Sequence, residues 1–329
     1  MRALITGGAG FVGRNLAQKL LLNNWDVVVV DSLVEGLGGI EPKSWPFFDP
    51  TSFDSFHFVA QDCRDYFKVQ PEDYFDYVFH LAAVVGGRLT IEQDPLAVAT
   101  DLSIDSEMWR WCVSARPAKV VNFSSSAAYP IHLQSSKGDV VKLSEDMIGF
   151  QKEIGMPDLT YGWAKLTSEY LGILAWEKYE INSVTFRPFS GYGPDQHISY
   201  PFPSICRRAI DYVGKTEFPI WGSGKQSRDF IHINDCIDGV LMMMDKENHG
   251  KAVNLSTGIA TSFVEFAKIV TSLLGYHPKI VGNSSMPEGV ASRVGDTLKQ
   301  KTLGFTSKQS FEAGIAECIE LYLNQKSFL

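Results

Sequence analysis

Cysteine is scarce and unpaired in this chain. The five residues Cys63, Cys112, Cys206, Cys236 and Cys318 are odd in number and include no C-x-x-C pair, which argues against a disulfide framework or a zinc site and for a reducing compartment. Positive charge is also in deficit. With 30 Lys and Arg against 38 Asp and Glu, the net charge is -8, so a broad electrostatic grip on nucleic acid or anionic lipid is not expected. No stretch approaches about 18 uninterrupted apolar residues, and the chain opens on "MRALITGG", an apolar strand rather than a charged leader with a cleavable core. These absences lead to an expectation of a cytoplasmic, unprocessed protein with no metal, membrane or nucleic-acid partner. An anionic small molecule stays open wherever basic residues gather locally.

What is present is a repeating alternation. Short apolar runs ("RALIT", "DVVVVD", "FHFVAQD", "YVFHLAA", "KVVNFSSS") are separated by helical stretches at residues 11 to 22 and 100 to 114. Strands apolar on both faces indicate a parallel sheet covered by helices on each side, hence an α/β, Rossmann-type doubly wound fold. Residues 34 to 56 are rich in Gly, Pro and aromatic residues, and 131 to 157 read similarly, as long loops after the C-terminal ends of strands, where ligands bind in open α/β sheets. A helix is expected from Tyr161 to about Tyr179, then a strand at "SVTFRP". Beyond it, short strands and amphipathic helices near 261 to 274 and 308 to 324 suggest a smaller C-terminal α/β lobe packed on the first.

The stretch "ITGGAGFVGRNL" puts Gly7, Gly10 and Gly13 between the first strand and a helix. Glycine at the first two positions lets backbone N–H groups approach a pyrophosphate at the helix N-terminus, and the third permits close helix-to-strand packing. Asp31 closes "DVVVVD" eighteen residues after Gly13, where its carboxylate can accept hydrogen bonds from an adenosine ribose and repel a 2′-phosphate. The cofactor expected is therefore NAD rather than NADP, held by Gly7, Gly10, Phe11, Val12, Gly13 and Asp31. Asp62 is a candidate for the adenine end. His80 reads as a packed strand-end residue, while Leu81, Ala82 and Ala83 after it let backbone pass close to the cofactor.

"TYGWAK" carries the chemistry. Tyr161 and Lys165 are four apart, so on a helix they share a face, and an ammonium near a phenol favours the phenolate. The strand end "NFSSSAAYP" offers the hydroxyls of Ser124, Ser125 and Ser126 at the same rim. Together with the glycine spacing, the acid ending the second strand and "HLAA", this set resembles the extended short-chain dehydrogenase/reductase family of NAD-dependent sugar-nucleotide epimerases and dehydratases, over residues 2 to about 322. The resemblance implies Tyr161 as acid/base, Lys165 on the nicotinamide ribose, and Ser125 in the hydrogen-bond network of the substrate hydroxyl. It further implies a nucleoside-diphosphate sugar, GDP- or UDP-linked, as substrate. It divides the chain into an NAD-binding domain (1–188 and 226–258) and a sugar-nucleotide lobe (189–225 and 259–329), and implies a homodimer formed by the face around "SIDSEMWRWC" and the helix bearing Tyr161.

By the same resemblance Arg228 in "WGSGKQSRDF" binds the substrate diphosphate, Arg293 in "PEGVASRVGD" the diphosphate or the nucleoside, and Ser126, Ser190 and Tyr200 belong to the substrate site, Ser190 at a phosphate contact. "AVVGGRL" and "AYP" look most like the GDP-mannose 3,5-epimerase and GDP-fucose synthase branch. Four positions depart from the family: Ala127 where 3,5-epimerases carry cysteine and dehydratases glutamate, Tyr200 where a lysine or histidine stands, Ser190 for asparagine in "RPFSGYGP", and Asp101 for asparagine. Alanine cannot transfer a proton, so the expectation is an epimerase working by transient oxidation at a ring carbon, carbon 4 first among them. The alternative is an NAD(P)-linked dehydrogenase or keto-sugar reductase. A 3,5-epimerase and a non-catalytic NAD-binding regulator rank below both.

Overall fold

Seven short runs dominated by apolar and β-branched residues build the central sheet: β1 (Arg2–Thr6), β2 (Asp26–Asp31), β3 (Phe56–Ala60), β4 (Tyr77–His80), β5 (Lys119–Phe123), β6 (Ser183–Pro188) and β7 (Ala252–Leu255). The computed structural model describes residues 1–34, 36, 38–69, 74–85, 88–135 and 140–326. The sheet order is β7-β6-β5-β4-β1-β2-β3 and every pairing is parallel. Order reverses between β1 and β4, the switch point at which open parallel sheets bind ligands beyond the strands' C-terminal ends.

Side chains alternate across the sheet, so each strand feeds two cores. Ala3, Ile5, Val27 and Val29 pack with Leu16 and Leu20 of helix α1 (Phe11–Leu22) and with Ile237 and Val240. Leu4, Val28, Val78 and Val120 pack on the other face with Met108 and Trp111 of helix α2 (Asp101–Ala115). The aromatic residues of "WRW" thus belong to the core. Helix α3 (Leu159–Tyr179) lies against α2, close enough that a Cβ on Gly172 would sit 3.0 Å from the Trp109 ring.

The C-terminal α/β lobe is smaller. A four-stranded sheet runs 261–262, 227–228, 292–295, 142–143, and two parallel pairs join 230–232 with 190–192 and 279–283 with 217–221. Its core gathers Phe202, Phe218, Phe230, Phe266 and Ile319. Asp229, fully buried, accepts hydrogen bonds from Thr257 N (2.8 Å), the Thr257 hydroxyl (2.6 Å), Gly258 N (2.9 Å), Gly295 N (3.2 Å) and the Ser256 hydroxyl. It therefore ties the lobe to the chain leaving β7. Among the described residues no helix is long and apolar enough to cross a membrane.

Besides short helices such as Cys63–Lys68 and Leu298–Thr302, two longer ones go unread in the sequence pattern. Pro201–Asp211 begins "PFP", which looks like a loop, yet both prolines fall in the first turn where no N–H is needed. Ile233–Met243 contains Gly239, whose missing side chain lets Leu255 and Phe305 pack against it. The loop reading of 131–157 holds for most of its described residues, apart from the two-residue strand Lys142–Leu143 and short 3-10 turns.

Candidate active site

The C-terminal ends of β1, β2, β4, β5 and β6 open into one groove of about 610 Å³. That is the size of a small-molecule cleft. Gly7, Gly10, Phe11, Val12 and Gly13 line it from the turn into α1. Gly7 has φ +68°, and a Cβ there would meet the Ala82 backbone at 2.7 Å; one on Gly13 would meet Gly8 Cα at 2.4 Å. The helix starts at Gly10 with no side-chain cap. Its first N–H groups therefore face the groove without an intrahelical acceptor, which suits a pyrophosphate.

Asp31 and Asp62 line the same groove. Asp31 accepts hydrogen bonds from Ala9 N (3.0 Å) and Leu33 N (2.9 Å), and burial lifts its pKa above the ordinary carboxylate value against the pull of those donors. Asp62 caps the helix Cys63–Lys68 through Arg64 N at 2.8 Å and pairs with the Arg64 guanidinium at 2.6 Å. Its carboxylate is thus largely taken up within its own turn.

Leu81, Ala82 and Ala83 line the groove beside Gly7, continued by Val84 and Val85. Gly86 and Gly87 of "AVVGGRL" lie outside the described residues. His80 is buried, with Nδ1 2.8 Å from the Thr6 hydroxyl and Nε2 3.0 Å from Asp105, so it packs at the strand end as its sequence context suggests.

Ser125, Tyr161 and Lys165 meet at the groove's inner end. The helix that carries the pair is seated tightly: Asp158 N donates to Ala127 O at 2.9 Å, and a Cβ on Gly162 would strike that same oxygen. Lys165 Nζ stands 5.8 Å from the centroid of the Tyr161 ring, and the Ser125 side chain is near enough to favour the Tyr161 phenolate. Burial raises the Tyr161 pKa; Lys165 pulls it down as the sequence leads one to expect, but the burial effect is larger. Burial also opposes the Lys165 charge, yet Asp105, Tyr161 and Asp101 outweigh it and the ammonium is held firmly.

Tyr200 lines the groove from the N-terminus of the 201–211 helix, close enough to Tyr161 for their charges to interact. The remaining candidates stand elsewhere. Ser126 is buried in the turn before Tyr129, and Ser190 sits in a strand with its N–H on Asp229 O at 2.9 Å. Arg228 and Arg293 are register partners on adjacent strands of the lobe. Arg228 Nη1 donates to Ser227 O and Val290 O, while Arg293 bonds Gln134 Oε1 at 2.7 Å and Asp158 Oδ2 at 2.5 Å. None of these four lines the cofactor groove.

Arg14 was not singled out in the sequence. Only 4% exposed, it donates to Ala9 O (2.6 Å), Gly38 O (3.0 Å) and Asp195 O and Oδ2 (3.1 Å each), joining the loop after β2 to the loop after residue 192. A cation in the first turn of a helix opposes the macrodipole, and that mismatch was the available signal for a fixed partner.

Comparison with known proteins agrees with this geometry. The model of the NAD dependent epimerase/dehydratase family matches residues 3–256. A protein of Yersinia pseudotuberculosis named GDP-L-colitose synthase is 24% identical over 336 residues, 99% of this chain and 99% of its own length. A UDP-glucose 4-epimerase of Mycolicibacterium smegmatis is 25% identical over 342 residues, again 99% of both. Among solved structures, UDP-glucuronic acid 4-epimerase from Bacillus cereus, in complex with UDP-glucuronic acid and NAD, matches with a TM-score of 0.82 at 25% identity, covering 99% of this chain and 100% of that one.

Proposed function

The chain belongs to the NAD dependent epimerase/dehydratase family, and on that footing we propose that it is an epimerase of a GDP- or UDP-linked sugar, oxidising one ring carbon transiently and restoring it with the opposite configuration. NAD is its cofactor, and when bound it accepts a hydride from the sugar and gives it back. The observation that carries the proposal is the meeting of Tyr161, Lys165 and Ser125 at the inner end of a groove whose other end is the uncapped, glycine-led start of α1.

Tyr161 takes the proton of the sugar hydroxyl as that carbon is oxidised and returns it afterwards. Lys165 favours the phenolate that this requires, and Ser125 orients the hydroxyl. Gly7, Gly10, Phe11, Val12 and Gly13 hold the pyrophosphate, Asp31 the adenosine ribose and Asp62 the adenine side. Arg228 serves the substrate diphosphate, Arg293 the diphosphate or the nucleoside, and Tyr200, Ser126 and Ser190 the rest of the substrate site, Ser190 at a phosphate. In this scheme residues 1–188 with 226–258 hold the cofactor and 189–225 with 259–329 the sugar nucleotide. Ala127 is buried and carries no acid or thiol, so proton exchange at carbons 3 and 5 has no donor there. The names of 4-epimerases among the similar proteins, two of them described above, support carbon 4 as the site.

Two copies pair through α2 and α3, where Leu102, Trp163 and Tyr170 are exposed. The test is incubation with a panel of GDP- and UDP-hexoses followed by NMR of the sugar protons. The expected result is inversion at one carbon with no net change in nicotinamide absorbance. A net absorbance change moves the assignment to a dehydrogenase or reductase, and unaltered sugar throughout the panel overturns it.

A further inference from the structure

Lys165, 3% exposed, faces two carboxylates from one helix. Asp101 and Asp105 are four residues apart at the start of α2, with exposures of 0% and 1%. Asp105 is engaged through Oδ1 by His80 Nε2. Asp101 is held differently: Oδ1 accepts the Val84 N–H at 2.5 Å, in the loop that lines the groove, while Oδ2 has no hydrogen-bond partner among the described residues. An asparagine oxygen accepts the same N–H equally well, so tethering Val84 does not call for an acid. What an amide cannot do is change its charge.

We propose that Asp101 is a positioning residue that acts through Lys165 as a switchable counter-charge: protonated, it leaves the ammonium to bear on the Tyr161 phenol; ionised, it draws that influence off and makes the phenol a weaker acid. The proposal rests on the reading of Tyr161 as the acid/base. Burial pushes the Asp101 pKa up to about 7, against the opposing pull of Lys165 and of the Val84 N–H, which places the switch where cells live. The charged and titratable groups around it are Lys165 and Tyr161 from α3, Asp105 on its own helix, and His80 from β4 through Asp105. Cys63, from the neighbouring short helix, feels Asp105 instead. As pH rises, Asp101 ionises before Tyr161 does, and the negative charge it gains holds the phenolic proton more tightly. The pair is thereby buffered against alkaline drift in its acid strength.

The experiment is an ultraviolet titration of the tyrosinate band in NAD-loaded protein, with the Tyr161→Phe trace subtracted to isolate one phenol. Asp101→Asn is expected to move that phenol's midpoint to lower pH, raising its tyrosinate fraction on the acid side roughly tenfold, and to shift the acid limb of the kcat profile the same way. Identical titrations in wild type and Asp101→Asn overturn the proposal and leave Asp101 a tether for Val84. A second measurement is an infrared difference spectrum between wild type and Asp101→Asn: a carbonyl band of a buried protonated carboxyl that the variant lacks should be present in wild type below neutrality and disappear through it, and its absence at low pH also overturns the proposal. If Tyr161→Phe keeps full activity, the acid/base assignment itself falls; if that variant is dead while Asp101→Asn titrates like wild type, only the counter-charge falls.

Discussion

At the scale of single residues, the site is a contest between burial and charge. Tyr161 is the group whose loss should be felt in chemistry alone: Tyr161→Phe is expected to lower kcat by about 10²–10⁴-fold while leaving NAD affinity near wild type, by steady-state kinetics beside calorimetric titration. Asp101 should be felt in stability as well. Its folded pKa of about 7 lies above the unfolded value of 3.8, so between those values the native state binds a proton that the unfolded chain has lost. Stability therefore falls as pH rises through that window, by up to about 4 kcal/mol, and the loss is complete above it. Lys165 does not titrate there, its pKa being raised further from neutrality. Asp101→Asn should thus come closest to wild type in melting temperature below about pH 4 and exceed it at about pH 8; a gap that does not grow with pH contradicts this. The sequence put Asp101 in a helical stretch and its resemblance marked it as a departure from asparagine, but neither put it in a sealed pocket with a second carboxylate, because burial is a property of how α2 meets α3.

At the scale of elements, the turn into α1 is the most demanding piece of backbone at the site. Gly7 combines a left-handed φ of +68° with the Ala82 backbone where a methyl group would go. Gly7→Ala is therefore expected to destabilise the fold by about 1–3 kcal/mol and to push the β4 loop out of line, seen as a lower melting temperature together with weakened NAD binding. The glycines, Asp31 and the serine-rich end of β5 were all legible in the chain, since each is dictated by its immediate neighbours. The same holds for the strands of the main sheet, whose apolar runs need no distant partner to be recognised. The helix at Pro201–Asp211 and the two-residue strand at Lys142–Leu143 were not legible. Proline at a helix start resembles proline in a loop, and two residues carry no period. Arg228 and Arg293 show the limit from another side: their motifs were plain, but that they sit side by side in a lobe sheet, with Arg293 gripping the residue before α3, depends on pairings more than sixty residues apart.

At the scale of the whole molecule, two features govern behaviour in solution. The exposed Leu102, Trp163 and Tyr170 on α2 and α3 form the surface through which a second copy is proposed to dock; light scattering should give twice the 36.6 kDa of the chain, and a Trp163→Glu variant should give the single mass. The other feature is Arg14, whose buried guanidinium fastens together two loops that line the groove. If these hydrogen bonds must break together before a dinucleotide leaves the groove, its residence time should far outlast a catalytic cycle. Protein purified without added nucleotide should accordingly carry NAD through chromatography and release it on acid denaturation, whereas Arg14→Met should emerge empty. Such an enzyme behaves less like one that borrows its coenzyme from the cell's pool than like one that owns it.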